Sequence, residues 1–409
     1  MILLMLLQAT LCTGHVTDKL PHPMQQVLPK PVPRQAYTDP AFGTTITRVT
    51  DQFWATGENA VMKTMYSTMP AWNADESLLL LWSRQYGHIL YNGQPPYQGL
   101  ALLNPWHPTD IEQIQWDPVD PNVLYYPTNY NAIPLFVKQT MQPWEARVIH
   151  DFRTPPTNCP TDWGKLLKLG SDPQWMGYTR KAIGLQCGNT KFIYSISEDK
   201  VLAVGPAATP NAPIVGPSET RAFLDGYVLD LGLHDLGRLP MANPGEHASM
   251  GVDAQGHDRW NMVSFDFLAT SPVGSLVSWD LITKLPKAVV GPATGWPYPG
   301  SATHLSAVGQ RAPGWVVVGT VGGLMPGPNG QPQWGQGVLQ NEIILANVDT
   351  GEVCRLAHAR TKAGTEVDGP WGYWGETHPV ISPSGKQVAF SSDWMGSSSV
   401  DTYVIKVQP

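Results

Sequence analysis

Three histidines occupy comparable settings in this chain of 409 residues: His247 in Gly-Glu-His-Ala-Ser-Met-Gly-Val-Asp, His304 in Ala-Thr-His-Leu-Ser, and His378 in Glu-Thr-His-Pro-Val. Each stands just ahead of a stretch that reads as a β-hairpin. Glu246 and Glu376 lie beside two of them, able to act as an oxygen ligand or as the acceptor that orients an imidazole. Imidazoles with a carboxylate suit zinc, manganese or iron and leave coordination positions open for a substrate. We take His247, His304, Glu376 and His378 as candidate ligands of a divalent metal ion, manganese first, with zinc or calcium as alternatives. Taken singly, each histidine could instead satisfy backbone groups at a strand end.

Catalytic work beside a metal needs a base and a cation for the substrate's charge. Arg84, Arg180, Arg259 and Arg311 lie near hairpins, where a guanidinium can clamp a carboxylate or form an ordinary surface ion pair. His304, Arg259, Arg311 and Tyr298 are the candidate catalytic residues. Tyr86, Tyr178, Tyr298, Tyr373 and Trp374 sit in loop-like contexts that could line a cleft for sugar rings. There is no G-x-S-x-G, P-loop, G-x-G-x-x-G after a strand, or H-E-x-x-H.

The elements that must position these residues are hairpins. Residues 376–394 run from Val380-Ile381 through a Ser-Pro-Ser-Gly turn into an alternating strand with Val388 and Phe390. Degenerate copies recur at 69–82, 115–126, 185–194, 214–223, 250–260 and 305–318, often about forty residues apart, which is near the propeller period. Seven units of four antiparallel strands predict an all-β, seven-bladed β-propeller. The lone strand in Phe42-Gly-Thr-Thr-Ile-Thr-Arg-Val has no hairpin partner nearby, and it is expected to complete the last blade and close the ring. Inserts at 322–340 and 362–375, rich in Gly, Pro and Trp, are expected as loops over one face.

Composition agrees: 14% charged residues with 39 Gly and 39 Pro is a pattern of short strands and many turns. A net charge of -7 argues against a general nucleic-acid or anionic-membrane surface. Residues 1–14 read as a secretory signal too short to span a bilayer, with a cut near Gly14, residues 15–40 as a Pro-rich extended arm, and 41–409 as one propeller domain. A secreted or periplasmic location follows. Cys159 and Cys187 could then pair, or the cysteines could remain buried thiols; no CxxC spacing suggests a zinc cluster.

Trp72-Asn-Ala-Asp-Glu-Ser-Leu, His378-Pro and Ser382-Pro-Ser-Gly-Lys-Gln-Val-Ala-Phe-Ser-Ser-Asp393 resemble the repeats of TolB-like propellers, and among those the oligogalacturonate lyases. The start Phe-Gly-Thr-Thr-Ile-Thr-Arg and the end Trp-Gly-Glu-Thr-His also resemble a group of secreted bacterial propellers. The lyase resemblance implies a manganese ion held in the channel by histidines and a glutamine, and cleavage of uronate chains by β-elimination. His247 with Asp253 matches one family motif. In the closing His-x-His motif His378 stands at the second histidine, Glu376 replaces the first, and the glutamine has no counterpart. The expected function is metal-assisted cleavage of an acidic polysaccharide or oligosaccharide. The alternative is a non-catalytic propeller that binds glycan or protein through Trp-rich loops.

Overall fold

The computed structural model describes residues 10–51, 60–103, 108–168, 177–205, 211–241, 247–264, 275–297, 304–322, 325–326, 332–362 and 371–407. Seven antiparallel sheets form the ring, at residues 62–103, 115–151, 167–205, 214–238, 248–290, 304–358 and 380–406, which we call blades one to seven. Each blade packs both faces against neighbours, so its central strands are apolar runs rather than alternations. Leu78–Ser83 in blade one and Trp315–Gly319 in blade six are buried almost throughout. First strands of successive blades lie against one another around the axis, as Ala248–Val252, His304–Ser306 and Val380–Ile381 do in blades five to seven.

The expected closure is present. Thr45–Arg48 pairs antiparallel with Asp401–Lys406, setting Ile46 opposite Ile405, and Ala36–Thr38 adds a fifth strand outside it. The bond from Met62 N–H to the Val400 carbonyl, 3.0 Å, then joins blade seven to blade one. Six of the seven sequence hairpins are the first two strands of a blade. The exception is 185–194: Ala182–Cys187 and Thr190–Ser195 are the second and third strands of blade three, whose first strand is Leu167–Lys168. Its Gly-Asn turn therefore faces the other end of the ring, and sequence alone misassigned it because both hairpins of a blade carry the same apolar–turn–apolar pattern.

The N-terminal arm is largely exposed but pinned to the ring at several points. Val16 bridges to Arg355, Met24 is buried, and Lys30 Nζ reaches Asp401 at 2.6 Å. Arg355 is wholly buried, pairing with Glu342 at 2.6 Å and donating to the Leu20 carbonyl at 2.6 Å. Two disulfides, Cys12–Cys354 and Cys159–Cys187, account for all four cysteines. The first ties residues 10–16 to blade six. Cys12 lies within residues 1–14, ahead of the cut expected near Gly14; residues 1–9 lie outside the described set.

His358, on the outer strand of blade six, sits under this arm with its ring 4.8 Å from that of Phe42. Burial, with nearby Arg360 and Arg355, lowers its pKa to about 3. The folded protein therefore refuses a proton that the unfolded chain accepts near pH 6.5. Stability from this residue is full above that pH and falls by about 1.4 kcal/mol per pH unit below it. Denaturant titrations of wild type and His358→Leu should diverge between pH 6.5 and 4.5, the variant losing about 2–3 kcal/mol less. Parallel pH profiles would refute this assignment.

Candidate metal centre

The strands of a blade alternate in direction, so everything ahead of a first strand lies at one end of the ring and the first-to-second turns lie at the other. His247 directly precedes Ala248–Val252, His304 opens its strand, and His378 precedes Val380 by two residues. Because blades five, six and seven are consecutive, the three imidazoles converge. They stack in order, His247 on His304 with centroids 4.1 Å apart and His304 on His378 at 4.0 Å. Glu376 Oε2 lies 2.5 Å from His304 Nε2. His304, Glu376 and His378 each offer a ligand atom within 4.8 Å of the others. His247 is half-buried and belongs to the stack rather than to this compact group.

The loop that delivers His378 is held firmly. Its φ of 34° is a left-handed conformation that a non-glycine residue rarely adopts. Thr64 Oγ1 donates to the His378 carbonyl at 2.8 Å, and Ser391 N–H donates to the Thr377 carbonyl at 2.7 Å. Gly319 lies opposite His304 in the sheet, and a Cβ there would crowd the Thr377 side chain and force it to move. Tyr66 closes the other side, its ring 5.5 Å from that of His304 and 5.4 Å from that of His378.

Lys63, fully buried in the first strand of blade one, sets the charge of the site. Its Nζ lies 3.0 Å from His378 Nδ1 and 4.8 Å from the Tyr373 ring centre. Burial lowers the Lys63 pKa to about 7, against the opposing pull of Glu112 and Glu376. His304 and His378 are held well below the ordinary histidine range, first by burial and then by charges that include Lys63. Both imidazoles are thus neutral, the state in which a ring nitrogen can bind metal. His378 Nδ1 is also 3.0 Å from the Glu376 carbonyl. Donating a proton to that carbonyl leaves the Nε2 lone pair available, whereas accepting one from Lys63 places the proton on Nε2. His304 Nδ1 and His378 Nε2 are buried without hydrogen-bond partners among the described residues. Two neutral imidazoles with orphaned nitrogens and one carboxylate fit a divalent cation.

Arg84, at the end of Leu78–Ser83, lies 5.3 Å over Trp374, which itself stacks on Trp82 at 5.2 Å. Tyr373 donates to Glu112 Oε1 at 3.3 Å, bringing in the segment ahead of blade two. Lys63, Tyr66 and Glu112 were missed from the sequence. A lysine inside the apolar run Val61-Met-Lys-Thr-Met-Tyr66 was the available signal.

Arg259 and Arg311 lie at the opposite end. Arg311 bonds Glu76 Oε1 at 2.8 Å and the Ala74 carbonyl, and Ser384 N–H donates to the same Glu76 oxygen at 2.6 Å, so the three residues clamp the turns of blades six, seven and one. Arg259 Nη2 pairs with Asp253 Oδ2 at 2.6 Å and its Nη1 with Asp280 at 3.3 Å. With His257 these acids form a second cluster of possible ligands, but Arg259 already meets their charge. Neither arginine is brought to the histidines, because each lies at the turn end of its blade, Arg259 opposite Gly251 and Arg311 past Ser306. Tyr298 and Glu246 lie outside the described residues.

No family model and no curated protein matches this chain. Among solved structures it is similar to an oligogalacturonate lyase in complex with manganese, with 14% identity, a TM-score of 0.56, and coverage of 91% of this chain and 96% of that one. An oligogalacturonate lyase from Vibrio parahaemolyticus gives 14% identity, a TM-score of 0.58 and the same coverage of 91% and 96%. The likeness shows a shared seven-bladed fold, agreeing with the resemblance seen in the sequence.

Glu376→Gln keeps shape while removing the only carboxylate of the three-ligand group. It should weaken manganese binding at least about 10- to 100-fold, by calorimetric titration at fixed pH. Unchanged affinity would remove Glu376 from the ligand set.

Proposed function

We propose that the chain is a lyase that uses a divalent metal ion to cleave a uronic-acid-containing oligosaccharide or polysaccharide by β-elimination. The observation that carries this reading is the convergence of His304, Glu376 and His378 within 4.8 Å at one end of a propeller similar to those of oligogalacturonate lyases. These three residues would hold the ion, His378 offering Nε2 when its Nδ1–H donates to the Glu376 carbonyl. When bound, the ion supplies positive charge that draws density from the substrate carboxylate and acidifies the adjacent C–H.

This chain's own groups then divide the remaining work. Arg84, 5.3 Å over the Trp374 ring, orients the carboxylate through its guanidinium. His247, the half-buried member of the stack, takes the proton: a ring nitrogen gains N–H as C5–H breaks. That electron pair becomes the C4–C5 double bond, the bond from C4 to the linking oxygen breaks, and the oxygen departs with a proton from water. Nothing is oxidised or reduced. His247 in this role replaces Arg259 and Arg311, which face the other end. We also propose that the protein works outside the cytoplasm, a reading supported by two disulfides that use every cysteine.

Purified protein should carry about one equivalent of metal. His304→Gln should carry none and be inactive. His247→Ala should keep the metal while kcat falls about 10²- to 10⁴-fold. Elemental analysis, paired with ultraviolet detection of unsaturated uronate products, reads both. Full turnover by metal-free protein would overturn the proposal, and glycan binding without product would favour the non-catalytic module.

A further inference from the structure

A cavity of about 650 Å³ lies between blades two and three, a volume typical of small-ligand sites. Its walls come from residues 109–113 ahead of blade two, residues 163–168 leading into blade three, and the second-to-third turn of blade three with Gln186, Gly188 and Asn189. All three stretches belong to the histidine end of the ring. The misassigned hairpin explains why the turn is there.

The lining is chemically mixed. Trp163 exposes 68% of its surface at the cavity, leaving a broad apolar ring uncovered. Lys165 and Lys168 stand beside it, both exposed, with Lys165 3.7 Å from Asp162 and Asp110 in the opposite wall. Gln186 is only 6% exposed; its Nε2 donates to the Gly188 carbonyl at 2.8 Å, which leaves Oε1 buried and without a hydrogen-bond partner among the described residues. A buried acceptor left open is costly unless a donor arrives. Gln113 adds a second amide side chain.

A phosphate would use the lysines and leave the indole idle, and a neutral aromatic would do the reverse. A uronic acid has a C–H face for Trp163, a carboxylate for a lysine, and hydroxyls that donate to Gln186 Oε1. The cavity is also joined to the metal centre: Glu112, flanked by Asp110 and Gln113 of the cavity wall, accepts the Tyr373 hydroxyl at 3.3 Å. We propose that this cavity is an outer subsite for a uronic-acid residue of the same chain whose scissile bond lies at the histidines, an inference that rests on the lyase reading for its substrate. Longer acidic oligosaccharides then bind across the face from blades two and three to the axis, and the shortest ones occupy the metal centre alone.

The test is equilibrium binding and steady-state turnover of oligogalacturonates of increasing length by wild type, Trp163→Ala and Lys165→Ala/Lys168→Ala. Because these side chains are exposed, the substitutions leave the packed blades intact. The expected result is about a tenfold loss of affinity for long chains, equivalent to about 1.4 kcal/mol, with none for the shortest. KM should rise for long substrates while kcat stays unchanged, as for binding held equally in ground and transition states. Wild-type affinity across the whole series in both variants would overturn the subsite, as would failure of wild type to bind any acidic oligosaccharide. Binding lost in Trp163→Ala without turnover by wild type would keep the subsite and end the lyase reading. Turnover insensitive to all three substitutions would do the opposite.

Discussion

The pairing of Thr45–Arg48 with Asp401–Lys406 is the constraint on which the rest depends. A propeller left open would expose the edge of its last sheet and leave blades seven and one unregistered. Closure sets Lys63 of blade one against His378 of blade seven, so the central contact of the site exists only in the complete ring. The two residues are 315 apart in sequence, and no local interaction could hold them at hydrogen-bond distance. The arm reinforces the closure through the Lys30–Asp401 pair and the Cys12–Cys354 disulfide.

Burial then turns position into chemistry. In water, a lysine beside a histidine would be charged and the histidine partly so. Here desolvation lowers the pKa values of Lys63, His304 and His378 together. Stacked imidazoles at about 4 Å repel one another if protonated, which reinforces the neutral state. Among the described residues, Glu112 and Glu376 supply the opposing charge that acts on Lys63. Such a neutral, partly unsatisfied cluster makes little contribution to stability. It is maintained by the surrounding blades, with local strain concentrated at His378.

Much of the fold was legible because a propeller repeats one pattern: apolar strand, tight turn, apolar strand. The seven units, the closing strand and the clustering of His247, His304 and His378 all follow from that repetition. It also produced the error at 185–194, since the two hairpins of a blade look alike and only the partner of Leu167–Lys168 decides between them. Arg259 and Arg311 were misplaced for a related reason. Proximity to a hairpin does not say which end of the strand a residue occupies, and His304 and Arg311, seven positions apart, face opposite ends. A lysine in an apolar run marks Lys63 as unusual, but the roles of Lys63 and Glu112 come from the residues they meet across the ring.

The two ends of this ring therefore use charge in opposite ways. At the turn end, acids and arginines neutralise one another: Glu76 with Arg311, and Asp253 and Asp280 with Arg259. The Glu76–Arg311 pair joins the turns of blades one and six, whereas Arg259 with Asp253 and Asp280 ties together the strands of blade five. At the histidine end, Lys63 stands against aromatic rings and an imidazole, and two imidazole nitrogens are buried without hydrogen-bond partners among the described residues. Polar groups left open in a packed interior are unfavourable for folding alone. His304 Nδ1 and His378 Nε2 lie where four consecutive blades meet and close to the Glu376 carboxylate, an arrangement that a bound cation would satisfy.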